Sequence, residues 1–291
     1  MPWPQELTYG IRDVERFKSS VMASDQSAAA SAQRIALGVE YEGSGFHGWQ
    51  RQAKPAVTTV QGELERALAL VANEPIVVTC AGRTDAGVHA MQQIVHFDTA
   101  VQRPDRAWVR GVNSLLPPSI RVHWAIETED DFHARFSALR RRYCYLIYNC
   151  PQRPAIFHRR LTFYRQVLDE KRMHRAAQCL LGEQDFSAFR AAGCQSNTPM
   201  RNVHRLEVSR HGHIVRVEIT ANAFLLHMVR NIVGALLEVG ASRQTEGWID
   251  DLLRGRDRCR AAATAPPDGL YLADVVYSAR WQVPAAQEQW L

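Results

Sequence analysis

The sequence predicts an α/β chain of the α+β kind: two ferredoxin-like βαββαβ halves joined edge to edge in one mostly antiparallel sheet, flanked by helices, with a basic cleft between them. Two observations carry this. Apolar residues at period two alternate with stretches at helical period in the order β, α, β, β, α, β from residue 33 onward. The same order begins again near residue 138, without a residue-level repeat. The expected divisions are a tail over 1–32, halves over 33–137 and 138–281, and a short tail over 282–291.

The segment SSVMASDQSAAASAQ (19–33) is small and polar with no usable period, so it reads as a flexible tail. The string MASDQSAAASAQRIALG also suggests that translation begins at Met22. In RIALGVEY, Ile35, Leu37, Val39 and Tyr41 alternate as in a half-buried strand, and the glycine-rich loop EGSGFHGWQRQ follows. Thr58 with Gln61 fits a capping box. Val60, Leu64, Ala67, Leu68 and Val71 then give an amphipathic helix ending before Asn73. PIVVTCAG is a short apolar strand; a strand over 92–98, a helix over 105–115 and a strand over 120–126 complete the half.

The second half opens with RRYCYLIYN, whose two faces carry Tyr143, Tyr145, Ile147 and Cys144, Leu146, Tyr148. A helix over 169–181 turns Met173, Ala176, Ala177 and Leu180 inward. Residues 201–220 form a hairpin turning at HGH. A helix over 223–239, a small helix over 246–254 and a strand over 270–277 close the chain.

Composition narrows the class. Apolar residues make up 46% and charged residues 22% of the 291, the balance of a globular chain rather than a disordered one. No apolar run approaches the roughly 20 residues of a membrane helix, and residues 1–32 lack the layout of a secretory signal, so a cytoplasmic protein is expected. Cys80, Cys144, Cys150, Cys179, Cys194 and Cys259 form no CxxC pair and no Cys/His spacing suited to tetrahedral zinc. They read as free thiols, and no metal is expected. The net charge of +5 rests on 32 Arg and 3 Lys. A planar cationic fork suits phosphate and base stacking, although an arginine-rich composition alone gives the same bias.

In CAGRTDAGVHA, Cys80 to Ala90, a single carboxylate stands among an arginine and two glycines at the exit of a strand. Asp85 can be a turn residue bonded to nearby backbone. It can also be a reactive carboxylate, oriented by Arg83 and exposed by its loop. Tyr143 is either a core aromatic or a site residue, with Tyr145 on the same face as its confounder. Along AFLLHMVRNIVGALLEV, His227, Arg230, Asn231, Gly234 and Glu238 fall on one narrow stripe that faces either solvent or a wet cleft; His227 is then a packed histidine or an RNA contact. DFHARFSALRRRY interleaves Phe132, His133, Arg135 and Phe136 with Arg140 to Arg142, which suits an unpaired nucleic-acid strand or a solvated basic edge with two core phenylalanines. His204, His211 and His213 belong to a polar hairpin tip.

GRTDAGVHA resembles the active-site motif of the TruA family of tRNA pseudouridine synthases, with EYEGSGFHGWQRQ upstream and DDFHARFSALRRRYCYLIYN and HMVRNIVGALLEVGA downstream; the likeness spans residues 33–281 in family order. The resemblance implies the pseudouridine synthase fold and isomerisation of uridine to pseudouridine at positions 38, 39 and 40 of the tRNA anticodon stem-loop, without a cofactor. It implies that Asp85 is the nucleophile, that Tyr143 lies against the uracil and could help remove its C5 proton, and that Arg230 pairs with Asp85. Arg83 would support flipping of the target base. RNA contacts are implied at Arg103, at Phe132, His133, Ala134, Arg135 and Phe136, and at Gly193, Cys194, Gln195, Ser196 and Asn197, although Asn197 stands where some relatives carry a basic residue. A homodimer is implied, with tRNA as partner. The competing classes are a catalytically silent RNA-binding protein and a metal-dependent nuclease, which would need a second carboxylate cluster.

Overall fold

A computed structural model describes residues 32–52 and 57–286; the predicted Met22 start, the tail up to residue 31, and residues 287–291 lie outside them. Strand β1 (Gln33–Tyr41) forms where the alternation puts it but is buried on both faces over Ile35–Val39 rather than half-buried, since Ala36 and Gly38 are covered too, the latter by Trp124; it sits between β3 (His89–Thr99) and β4 (Ile120–Thr128), antiparallel to both, with Leu37 opposite Val95 and Ala125. Helix α1 (Val60–Ala72) buries Val60, Leu64, Ala67 and Leu68 and ends on Asn73 in the left-handed conformation. Its cap is Thr59 rather than the expected Thr58: the Thr59 hydroxyl accepts from Gly62 N at 3.3 Å, while the Thr58 carbonyl is taken by His47 N. The helix expected over 105–115 keeps those bounds, with a π-helical stretch (Ala107–Gly111) between its first two residues and α2 (Val112–Leu115); Trp108 within it is fully buried and edge-on to Phe97 at 5.2 Å.

The second half places β5 (Ala138–Asn149) between β9 (Ile214–Ala221) and β10 (Leu270–Tyr277), with β8 (Met200–His211) outside β9. The hairpin turn falls at Gly212, as read from the sequence. Helix α3 (Glu170–Ala177) is capped by Asp169 and passes into a 3-10 turn at Gln178–Leu180, so the helix expected over 169–181 is shorter and tightens at its end. Two short strands were not predicted: β6 (Thr162–Tyr164) on β5, and β7 (Gly182–Asp185) on β8. Helix α4 (Met228–Gly240) is nearly all buried and α5 (Trp248–Gly255) follows. The helix expected from residue 223 begins five residues later because His227 takes a left-handed backbone at φ 58°, which no continuing α-helix allows.

The ten-stranded sheet runs β4-β1-β3-β10-β5-β9-β8-β7. With β2 (Thr79–Cys80) on the free edge of β3, strands β1 to β4 are ordered fourth-first-third-second. Strands β5, β8, β9 and β10 repeat that order, which is the ferredoxin-like arrangement predicted. The halves join where β10 pairs in parallel with β3, Tyr271 opposite His89. On the same edge of β3, β2 pairs farther along, Cys80 opposite Val95. The edge therefore forks, and the loop leaving β2 crosses the opening between the halves. PIVVTCAG yields only two strand residues because β2 shares this edge.

Candidate active site

The loop 81–88 spans the fork and is held from beneath. Ala81 N donates to Ile94 O at 2.8 Å, the Gln93 amide bonds Gly82 on both sides, and the Thr84 hydroxyl meets Tyr41 Oη at 2.8 Å. From above, the glycine-rich loop reaches it through Trp49 N to Thr84 O, 3.0 Å. Gly48 makes that approach possible: its φ is +87°, and a Cβ there would stand 2.9 Å from Thr84 O and 3.1 Å from Ala86 N. Asp85 is thus both a loop residue, its carbonyl accepting from Val88 N, and a carboxylate 28% exposed to the cleft.

Arg230 comes from the other half, in the first turn of α4. Its Nη1 donates to Asp85 Oδ2 at 3.0 Å and its Nε to Ala265 O at 2.8 Å, while Ala265 N returns a bond to Arg230 O. His227 precedes the helix and places Nε2 3.3 Å from the same Oδ2. The N-terminus of a 13-residue helix therefore faces the carboxylate with its positive dipole end. The rest of the polar stripe is spent inward or at the far end: Asn231 is fully buried and bonds Phe189 O, Arg258 and Thr264, Gly234 lies against Ala263 O, and Glu238 pairs with Arg243. The stripe faces the cleft only over its first turn.

Tyr143 lines the cleft, almost buried, with its ring edge-on to Phe224 at 4.9 Å and 82°. Burial pushes its phenol up, Arg141 opposes that and Asp85 adds to it, so the group is a neutral phenol at physiological pH. Tyr145, the confounder, is structural: its hydroxyl bonds Thr162 Oγ1 at 2.6 Å and Pro266 O at 2.8 Å. Arg83 is exposed on the rim.

The cleft holds about 650 Å³, within the range of small-molecule sites and sufficient for a nucleoside. Among the described residues five arginines line it, Arg83, Arg135, Arg141, Arg201 and Arg230, against Asp85 as the one carboxylate. Gly193, Cys194, Gln195 and Ser196 also line it, their loop held from behind by Arg190 on the carbonyls of Cys194 and Ser196. Asn197 is exposed outside the lining, as is Arg103 on a separate loop.

The segment 132–136 divides, and here the stacking expectation needs correction. Phe132 is wholly buried, packed on Tyr277 and Trp281 at 5.2 Å each, and Ala134 is buried too, so neither side chain is available to a base. His133, Arg135 and Phe136 present the outer surface: Phe136 is 75% exposed, with the His133 ring 4.3 Å away and Arg135 over its face at 5.6 Å. Sequence reasoning missed Arg141. Its guanidinium donates to Ala81 O, Arg135 O, Asn222 O and Ala138 O, tying the start of the Asp85 loop to the 135 segment and to the second half. Its place in the Arg140–Arg142 run suggested an exposed charge, and nothing local signals the four carbonyls.

Among the described residues, no cluster of three His, Cys, Asp or Glu could hold a metal ion, and no helix is long and apolar enough to cross a membrane. The two fused ferredoxin-like halves thus hold an exposed carboxylate, paired with an arginine from the other half, in a cleft lined with arginines, an arrangement suited to an acid working beside a phosphate-bearing ligand. Residues 38–137 and 176–278 match the family described as tRNA pseudouridine synthase. The chain is 60% identical to tRNA pseudouridine synthase A of Shewanella amazonensis over 251 residues, 86% of this chain and 95% of that protein. It is 58% identical to the Salmonella typhimurium protein of that name over 263 residues, 90% and 96% of the two chains, and 59% identical to that of Escherichia fergusonii over 86% and 92%. The chain belongs to the tRNA pseudouridine synthase family, and is an isomerase.

Proposed function

We propose that the chain isomerises uridine to pseudouridine at positions 38, 39 and 40 of the tRNA anticodon stem-loop, with Asp85 as nucleophile and no cofactor. The observation that carries this is the Asp85 carboxylate, the one acid of an arginine-lined cleft, held by Arg230 at 3.0 Å yet still exposed. The reaction breaks the C1′–N1 bond, turns the uracil, forms C1′–C5, and moves the C5 proton out while N1 gains one, so no net group is lost. Asp85 adds to the base or to the sugar carbon and leaves when the new bond is made. Tyr143 supplies a flat wall for the turning uracil, steadied by Phe224, and stands close to where the C5 proton departs. Arg83, on the rim, supports the extruded nucleotide. The RNA backbone runs over Arg103, His133, Arg135 and Phe136 and along 193–197, where cations neutralise phosphates and the exposed ring stacks. A cytoplasmic homodimer, so that one tRNA touches both subunits, completes the reading on the strength of the family resemblance.

The test is tritium release from tRNA labelled at uracil C5. The wild type is expected to release tritium, and Asp85→Asn to bind tRNA with little change in Kd but not to turn over. An Asp85→Asn variant at wild-type rate would remove the nucleophile assignment.

A further inference from the structure

The proposed role of Asp85 leaves open how one of its two oxygens is made available. Two side chains of the α4 N-terminus close on the same atom of the carboxylate: Arg230 Nη1 donates a hydrogen bond to Oδ2 at 3.0 Å, and His227 Nε2 stands at ion-pair distance, 3.3 Å, from that oxygen. Among the described residues no hydrogen bond reaches Oδ1. His227 is also where local rules are broken. It stands at the N-cap of α4, a position that favours Ser, Thr, Asp or Asn, and its side chain makes no cap bond there. Its backbone sits at φ 58°, a region uncommon for a residue that is not glycine and costing on the order of 1 kcal/mol or more. Its ring is one-third exposed and lines the cleft instead of packing in the core. A residue whose backbone is strained, whose capping function is unused and whose side chain ends beside the reactive group is held there for what the side chain does.

Resting on the assignment of Asp85 as nucleophile, we propose that His227 is a positioning residue: with Arg230 it engages Oδ2, fixes the rotation of the carboxylate, and leaves Oδ1 as the attacking oxygen. The left-handed turn is the device that brings the ring back over Asp85 before the helix starts. A carboxylate held at one oxygen by Arg230 alone still swings about its Cβ–Cγ bond, and the His227 ring against the same oxygen restricts that swing.

The experiment separates the side chain from the backbone. His227→Gly accepts positive φ without strain and removes the donor. His227→Gln restores a nitrogen donor near the position of Nε2. Single-turnover tritium release, tRNA Kd and Tm are measured for both, beside wild type and Asp85→Asn. The expected result is a fall of about 10-fold to 100-fold in the His227→Gly rate, the order for a misoriented reacting group, with Kd within about twofold, Tm not lowered, and partial recovery in His227→Gln. His227→Gly at the wild-type rate, or His227→Gln falling as far as His227→Gly, would overturn the proposal. An active Asp85→Asn would instead remove the nucleophile assignment, so the two failures are distinguishable.

Discussion

Arg230 Nη1 and Asp85 Oδ2, 145 residues apart in sequence and on different halves of the sheet, meet at 3.0 Å across the fork in β3. The contact is geometric as well as electrostatic, because Arg230 is itself fixed through its Nε to Ala265 O. Lysine keeps the charge but cannot hold a carboxylate and a carbonyl in one rigid plane. Arg230→Lys is therefore expected to lower kcat by about 10²-fold to 10³-fold, the magnitude of losing one preorganised donor, with a much smaller effect on tRNA affinity. A kcat within a few-fold of wild type would mean that charge alone suffices.

Tyr143 and Tyr145 share a face of β5 but differ in what they touch. Tyr143 is almost buried, with its ring against Phe224 in the cleft, whereas the Tyr145 hydroxyl is committed to Thr162 and Pro266. Tyr145→Phe is expected to cost about 1–3 kcal/mol in urea unfolding, by leaving the buried Thr162 hydroxyl and the Pro266 carbonyl without their partner, and to leave the rate of the folded enzyme near wild type. Tyr143→Phe is expected to do the reverse, keeping stability within about 0.5 kcal/mol and lowering the rate of tritium release. Equal effects from both variants would place the two hydroxyls in one class.

The glycine-rich loop buttresses the Asp85 loop, so Gly48 is a test of that support. Gly48→Ala adds a Cβ to a backbone at φ +87° and brings it within 2.9 Å of Thr84 O, whereas Gly45 has open space around it. Alanine at 48 is expected to cost about 1–3 kcal/mol and to lower kcat as Asp85 shifts, while Gly45→Ala leaves both near wild type. Thermal melts and tritium release on the pair read this directly.

Much of this fold is legible in the sequence because its strands and helices carry clean apolar periods: β1, the β8–β9 hairpin and β10 appear where the alternation puts them. The rest depends on contacts with distant residues. Phe132 and Phe136 look alike in DFHARF, yet Phe132 is buried by Tyr277 and Trp281 from the far end of the chain while Phe136 is left outside. Arg141 reads as surface charge, and only the meeting of three segments at its guanidinium makes it internal. The start of α4 is hidden by a period that continues through AFLLHM, because the left-handed turn at His227 serves the Asp85 carboxylate and not the helix. In the site itself, the loop around Asp85 is readable from its glycines. Its partner in the other half was reached only through the family motif, since nothing local to either segment joins residue 85 to residue 230.

Acid should loosen the segment that carries Phe136. His96, on β3, is almost buried, and its Nδ1 accepts the amide of Ala134 at 3.1 Å, so the ring must be neutral with its proton on Nε2. Burial, with the nearby Arg34 and His133, pulls its pKa down from 6.5 to about 4. Because the folded value is the lower one, the unfolded chain binds more protons between the two, and stability rises with pH across that window. The contribution is fully present above pH 6.5 and is lost as pH falls towards 4. His89, also buried and accepting from Gly43 N, is lowered by burial and adds in the same direction. His96→Asn keeps an acceptor for the Ala134 amide and removes the titration. Urea unfolding between pH 7 and 4 is expected to show a shallower loss of stability in His96→Asn than in the wild type. Parallel slopes would mean that protonated His96 is accommodated without releasing Ala134.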